Sequence, residues 1–317
     1  MPLSPRRVPL LGISWPGAER SDAGMTLDFA CIADLRCRIG ESPLYDERTG
    51  RLYFVDILGR LIYCREAESG ALHSWSFESE VCSLGLAASG RLVVALRDQV
   101  VLFDSASEET HGLCEIEADD PGTRLNDGRV GPDGAFWVGS MDDRADKGPT
   151  AALYRVDASG RVERKIEGLV ISNGLAWTAD GELMFHADSR GPWIDRWRFD
   201  RTTGEISERT RVAEPDIIVG RPDGGSCDVE GYYWSAGVSA GHLNRFSPDG
   251  RLAASYDAPV PAPTMPCFGG PDFRTLYLTS LREGRSSALL QRVPQSGAVF
   301  SAAAPVAGFP SWRFLDI

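Results

Sequence analysis

"TGRLYFVD" (49–56) is a turn followed by a short apolar and aromatic run, and the same pattern returns five times along the chain. The later copies are "SGRLVVAL" (89–96), "DGAFWVGS" (133–140), "DGELMFHA" (180–187), "EGYYWSAG" (230–237) and "DFRTLYLTS" (272–280). Their marker residues, Gly50, Gly90, Gly134, Gly181, Gly231 and Arg274, follow one another at intervals of 40, 44, 47, 50 and 43 residues. A period of about 45 residues with several short strands per unit is that of a propeller, in which small sheets stand radially about a channel.

A second set of strand-like runs follows the markers: "GRLIYCR" (59–65), "DQVVLFD" (98–104), "AALYRVD" (151–157), "WIDRWRFD" (193–200), "GHLNRFS" (241–247) and "GAVFSAA" (297–303). A third set precedes them and includes "ESPLYD", "LNDGRVGP", "SNGLAWTA" and "PDGGSCDV". These runs are rich in Val, Leu, Tyr, Phe and Trp and are bounded by Gly, Pro, Asp and Asn. Asp133-Gly134, Asp180-Gly181 and Asp249-Gly250 are hairpin turn signals. The chain therefore reads as all-β, with six antiparallel sheets of about four strands each in one six-bladed β-propeller domain over residues 26–317. A closed ring needs a seam. "TLDFACIA" (26–33) precedes the first full repeat and is expected to supply the outer strand of the last blade, removing the free sheet edges. Residues 1–25 lie outside the repeat and read as a disordered extension, with Met25 as an alternative start.

With 43% hydrophobic and 25% charged residues, the 317-residue chain falls in the soluble globular class. It contains no run of 18 apolar residues to span a membrane. The net charge of −12 argues against nucleic acid or an anionic membrane surface as partner. No obligate protein partner is evident. The seven cysteines are odd in number, irregularly spaced and without a C-x-x-C pair, which predicts unpaired thiols in a reducing, cytoplasmic setting.

Four polar residues occupy one column of the repeat. Asn126, Asn173 and Asp223 each precede their marker glycine by eight residues, and Glu41 precedes Gly50 by nine. Each alone passes for a turn residue, since Asn and Asp commonly cap backbone groups. Independent turns have no reason to share one register, however, and Glu is not a favoured turn residue. The same column places Cys82 and Pro266 in the other two repeats. In a ring, the column points at the central channel. Two carboxylates and two amides then meet at one spot, a set of hard oxygen ligands suited to one divalent cation. The candidates are Ca²⁺, Mn²⁺, Mg²⁺, Fe²⁺ and Zn²⁺. None of the four histidines (73, 111, 186, 242) is in the column, which disfavours an imidazole-rich zinc site. Arg124 stands two residues before Asn126, on the same face of an extended segment, where it reaches the same cavity. The charged loop "DDRADKGP" (142–149) follows the third repeat's strand and is a candidate lid.

The segments "GESPLYDERTGRLYFVDI", "RLNDGRVGPDGAFWVGSMDD", "ISNGLAWTADG", "RPDGGSCDVEGYYW" and "PCFGGPDFRTLYLTS" closely resemble those of the gluconolactonase/regucalcin/luciferin-regenerating-enzyme family. The resemblance runs in order from about residue 34 to the C-terminus through all six repeats. It implies a six-bladed propeller, metal ligands at Glu41, Asn173 and Asp223, and sugar contacts at Arg124 and Asn126. It also implies that Asp223 is the catalytic acid/base. Some members place a substrate-contacting Glu in the loop after the Gly-Ser-Met segment (139–141). Here Arg144 stands there, preceded by Asp142 and Asp143, and Asp143 is the candidate replacement.

The resulting expectation is a metal-dependent hydrolase of small aldonolactones such as glucono-, galactono-, arabinono- or xylonolactone. The attacking water would be activated by Asp223 or by the metal itself. The alternatives are a non-catalytic calcium-binding or regulatory propeller on the same scaffold, and a related esterase. An interaction propeller of the WD-repeat kind is disfavoured, because it needs no inward acidic column.

Overall fold

The computed structural model describes residues 26–317; the expected N-terminal extension lies outside the described residues. Six antiparallel sheets form six blades, each of four strands, and the second blade carries a fifth strand. The innermost strands, in blade order, are Gly40–Asp46, Val81–Ala87, Thr123–Val130, Ser172–Trp177, Pro222–Cys227 and Pro263–Gly269. The second strands are the aromatic runs that disclosed the repeat. Gly134 and Gly181 adopt φ of 73° and 71° at the turns leading into them, a left-handed conformation that glycine reaches at least cost. Ala30–Ala33 pairs antiparallel with Val299–Ala303 and so joins the start of the described chain to the last blade.

Large rings wedge the blades together. Trp137 of the third blade meets Trp177 and Phe199 of the fourth edge-on, with centroids 6.0 and 5.5 Å apart. Phe185 of the fourth stacks on Tyr233 of the fifth at 4.9 Å. Trp234 of the fifth meets Phe268 of the sixth at 5.7 Å. Two blades repeat one polar lock at their outer turns. Asp133 accepts from Trp137 Nε1 and Arg155 Nε, and Asp228 accepts from Trp234 Nε1 and Arg245 Nε. All seven cysteines are free thiols. No helix of the described residues is long and apolar enough to cross a membrane.

Two elements were not legible in the repeat. A six-residue helix, Ser287–Arg292, sits in the loop after the second strand of the sixth blade, capped by Ser286. The fifth strand of the second blade is Arg313–Phe314, which runs parallel to the inner strand Val81–Ala87 at its Leu86–Ala87 end. This C-terminal segment lies at the end of the channel away from Val81. It is held by Arg313 on Asp46 (2.6 Å) and Glu47 (2.9 Å), and by Asp316 on Arg91 (2.8 Å). Phe314 is wholly buried in the apolar core shared by the first three blades. Phe314→Ala is therefore expected to cost about 3–5 kcal/mol of stability, read as a lowered urea midpoint at unchanged slope. A loss below about 1 kcal/mol would show that the segment only rests on the core.

Candidate active site

Every inner strand carries a one-residue register irregularity against its neighbour near its N-terminal end. The breaks fall at Glu41/Leu44, Val81/Ser83, Leu125/Gly128, Asn173/Ala176, Pro222/Gly225 and Pro263/Pro266. A bulge kinks the strand and re-aims one side chain. Here the column residues lie at or within these irregularities, so positions that read as turns lie in strands. By strand register the sixth place falls on Thr264 instead of Pro266. Thr264 is buried and donates to Gly40 O (2.5 Å), tying the last blade to the first.

The structure brings the third, fourth and fifth column residues into one hydrogen-bonded chain. Arg124 Nη1 donates to Asn126 Oδ1 (3.0 Å), Asn126 Nδ2 to Asn173 Oδ1 (3.0 Å), and Asn173 Nδ2 to Asp223 Oδ1 (2.8 Å). Ser189 Oγ, absent from the sequence reading, accepts from Asn173 Nδ2 (2.7 Å) and donates to Pro222 O (2.6 Å), fixing the amide. Glu41 is buried, and its Oε2 accepts from Ser42 N (2.7 Å).

A third carboxylate acts on Glu41 and Asp223 through its charge. Asp127, one residue past Asn126, is buried and accepts Leu175 N–H at 3.0 Å through Oδ2, while Oδ1 has no partner. The sequence hid it, because "NDG" reads as a turn when it is a bulged inner strand. Its presence changes the electrostatics. Burial, then the Asp223 and Asp127 carboxylates, push Glu41 well above the usual carboxylate range. Asp223 is pushed up to about 8, first by burial and then by Asp127, against the pull of Arg221 and Arg124. Burial also raises Asp127.

Such a site fits a divalent cation. Glu41 Oε1 and Asp223 Oδ2 accept no hydrogen bond among the described residues, and Asn173 Oδ1 keeps a second lone pair. The free donors are hard oxygens, and a cation among them would offset the mutual repulsion of the carboxylates. No three His, Cys, Asp or Glu side chains gather to hold an ion among the described residues.

Arg124 is buried beside this centre, also donating to Leu125 O (2.8 Å), with its Nε 3.8 Å from Asp143 Oδ1. Asp143 stands at the rim, where Arg97 Nη2 donates to its Oδ2 at 3.2 Å. Arg144 turns away from both, onto Asp120 (2.5 Å) and Asp142 (3.2 Å). Of the residues after the Gly-Ser-Met segment, Asp143 is thus the one that contacts Arg124.

The chain is similar to known proteins over most of its length. The SMP-30/Gluconolactonase/LRE-like region family matches residues 39–282. The 6-deoxy-6-sulfogluconolactonase of Pseudomonas putida is 35% identical over 279 residues, 88% of this chain and 95% of that protein. Regucalcin of Gallus gallus is 31% identical over 290 residues, 90% of this chain and 97% of its own length. Among solved structures, a calcium-binding protein, regucalcin, from Agrobacterium tumefaciens superposes with a TM-score of 0.88 at 27% identity, covering 93% of this chain and 99% of that one. A luciferin-regenerating enzyme gives 0.82 at 28% identity, covering 90% and 99%. The match extends over most of the chain and includes the four strands that carry Glu41, Asn126, Asn173 and Asp223, and the chain belongs to the SMP-30/Gluconolactonase/LRE-like family.

Proposed function

We propose that this protein is a lactonase that hydrolyses a sugar lactone to its aldonic acid, with a divalent cation held by Glu41, Asn173 and Asp223. The observation that carries the reading is the single hydrogen-bonded chain from Arg124 through Asn126 and Asn173 to Asp223, beside carboxyls that burial and mutual repulsion hold at raised pKa. The relative at 35% identity is named as a lactonase of a sulfonated gluconolactone.

When bound, the cation supplies Lewis-acid polarisation of the lactone carbonyl. The chain's own groups do the remaining work. Asp223 spends one lone pair of Oδ1 on Asn173 and offers Oδ2 to the cation, so the second lone pair of Oδ1 is the one left to take the proton of the attacking water. The same carboxyl then returns the proton to the ring oxygen as the carbon–oxygen bond breaks. Arg124 is buried and fixed by Leu125 O and Asn126, so its remaining N–H groups point a rigid donor at substrate oxygens. Asn126 orients Asn173 and keeps an acceptor lone pair for a hydroxyl. Asp143 at the rim contacts the remaining hydroxyls.

The test is acid release, followed by pH indicator, from glucono-, galactono-, arabinono- and xylonolactone with each candidate metal. Turnover above the spontaneous rate, lost with chelator and restored by metal, is the expected result. Spontaneous rates across the panel would overturn the proposal. The calcium-binding regulatory reading, which the same carboxylates favour, would then lead.

A further inference from the structure

The rim above the column is rich in cations that the reaction does not use, in a chain whose net charge is −12. Arg221 directly precedes the fifth blade's inner strand. Arg190, Lys147 and Arg285 lie in the loops after the second strands of the fourth, third and sixth blades. These loops sit at the column's end of the ring. Asp142 N donates to Val170 O, Ser189 N to Ile171 O, Val238 N to Arg221 O and Leu281 N to Ala262 O, which joins each loop to the entry of an inner strand.

Like charges stand close together here. Lys147 lies within the field of Asp143 and Asp142 and also of Arg124 and Arg190, and Arg285 lies within that of Arg221. Arg221 and Arg124 both act on Asp223. Salt bridges relieve other arginines nearby: Arg97 holds Asp143 and Glu80, Arg144 holds Asp120 and Asp142, and Arg38 holds Glu283. Among the described residues, no carboxylate lies within 4.0 Å of Lys147, Arg190, Arg221 or Arg285. Lys147 donates to the backbone carbonyl of Asp142. Asp216, in the loop before Arg221, spends its Oδ1 on the N–H groups of Ile218 and Val219. Arg285 is half-buried, and its Nε is shut off from solvent with no hydrogen-bond partner. Burial and the neighbouring Arg221 both disfavour its charge.

A guanidinium held partly out of water beside a second one is costly unless an anion completes the pair. Their planar forks suit the oxygens of a tetrahedral or planar anion. We infer that Arg221 and Arg285 form an anion subsite, so that the preferred lactone carries a sulfonate, phosphate or carboxylate on a carbon remote from the reacting carbonyl. Lys147 and Arg190 widen the positive field that concentrates such a substrate at the mouth. The inference rests on the lactonase reading and narrows its substrate class.

The experiment compares kcat/KM on glucono-1,5-lactone with that on its 6-phospho, 6-sulfo and 6-carboxyl counterparts, using the full-length metal-loaded protein. We expect a preference of about a hundredfold or more for at least one anionic lactone, weakening as salt rises. The arm that responds most identifies the anion. Arg285→Gln and Arg221→Gln should each reduce that preference at least tenfold, and Arg285→Lys should retain part of it. A purely structural role would lower both substrates together and leave the ratio intact. Equal kcat/KM on neutral and anionic lactones in the wild type would overturn the subsite while leaving the lactonase reading in place. If no lactone turns over, calorimetry with 6-phosphogluconate, 6-sulfogluconate and glucarate against gluconate still decides. Equal affinities, or the same loss on all four acids in Arg285→Gln, would reject the subsite.

Discussion

Asp223→Asn is expected to lower kcat/KM on the substrate lactone by about a thousandfold or more, the range in which a positioned acid/base and a charge-stabilising group act. The substitution keeps the shape and removes two functions. The neutral amide contributes only one oxygen and no charge to a cation, and it cannot accept the proton of the attacking water. It also turns the acceptor of the Asn173 hydrogen bond into a group with a competing donor. Arg124→Ala should behave differently. Arg124 touches Asn126, Leu125 and the rim residue Asp143, but none of the three proposed metal ligands. Its loss should reduce kcat/KM by about a hundredfold through misplaced substrate, with metal affinity within about twofold of wild type. Calorimetric metal titration of both variants separates the roles. A fully active Asp223→Asn, or an Arg124→Ala that loses metal in parallel with activity, would break the assignment.

The sequence carries the fold in the periodicity of its markers, because each blade must make the same turn and bury the same aromatic strand against its neighbours. It also carries the column, because Glu41, Asn126, Asn173 and Asp223 depart from that rule in one register. What escaped the reading depends on contacts between blades. Asp127 looked like half of an Asp-Gly turn until the bulge in its strand buried it beside Glu41 and Asp223. Ser189 reaches Asn173 from a loop 16 residues away, and no local pattern marks that contact. Thr264, not Pro266, holds the sixth place, since strand pairing decides register and Arg274 is not a marker equivalent to the glycines. The two-residue strand Arg313–Phe314 is too short to show any period, and it is defined only by its pairing with the second blade's inner strand. The cations of the rim without a carboxylate partner, Lys147, Arg190, Arg221 and Arg285, are scattered over three loops and the approach to one inner strand, and only the ring gathers them.

Metal and pH should act on stability together, and the sign follows from the raised carboxyls. Unfolded, Asp and Glu titrate near 3.9 and 4.3. Folded and without a cation, Asp223 titrates at about 8, driven first by burial, and Glu41 lies well above its usual range. Between those limits the native state binds protons that the unfolded state has released, so stability falls as pH rises, by about 1.4 kcal/mol per pH unit for each proton held. His186 acts in the opposite direction. Burial lowers it to about 3, so the unfolded chain binds the extra proton below about 6.5 and stability rises with pH there. The window that isolates the carboxyls is therefore about pH 6.5 to 8, where the metal-free protein should lose thermal stability steadily. A divalent cation competes with protons for the same oxygens, so its stabilisation should grow across that window. At a hundredfold excess over Kd it should approach about 2.7 kcal/mol. The Glu41→Gln, Asp223→Asn double variant removes two of the three raised carboxyls and both anionic ligands at once, leaving Asp127. It should show a flatter profile from pH 6.5 to 8 and little response to metal. Scanning calorimetry of both proteins at three pH values, with chelator and with each metal, reads these outcomes. A wild-type profile that rises through the window would place the raised pKa values elsewhere, and an undiminished metal shift in the double variant would place the cation away from Glu41 and Asp223.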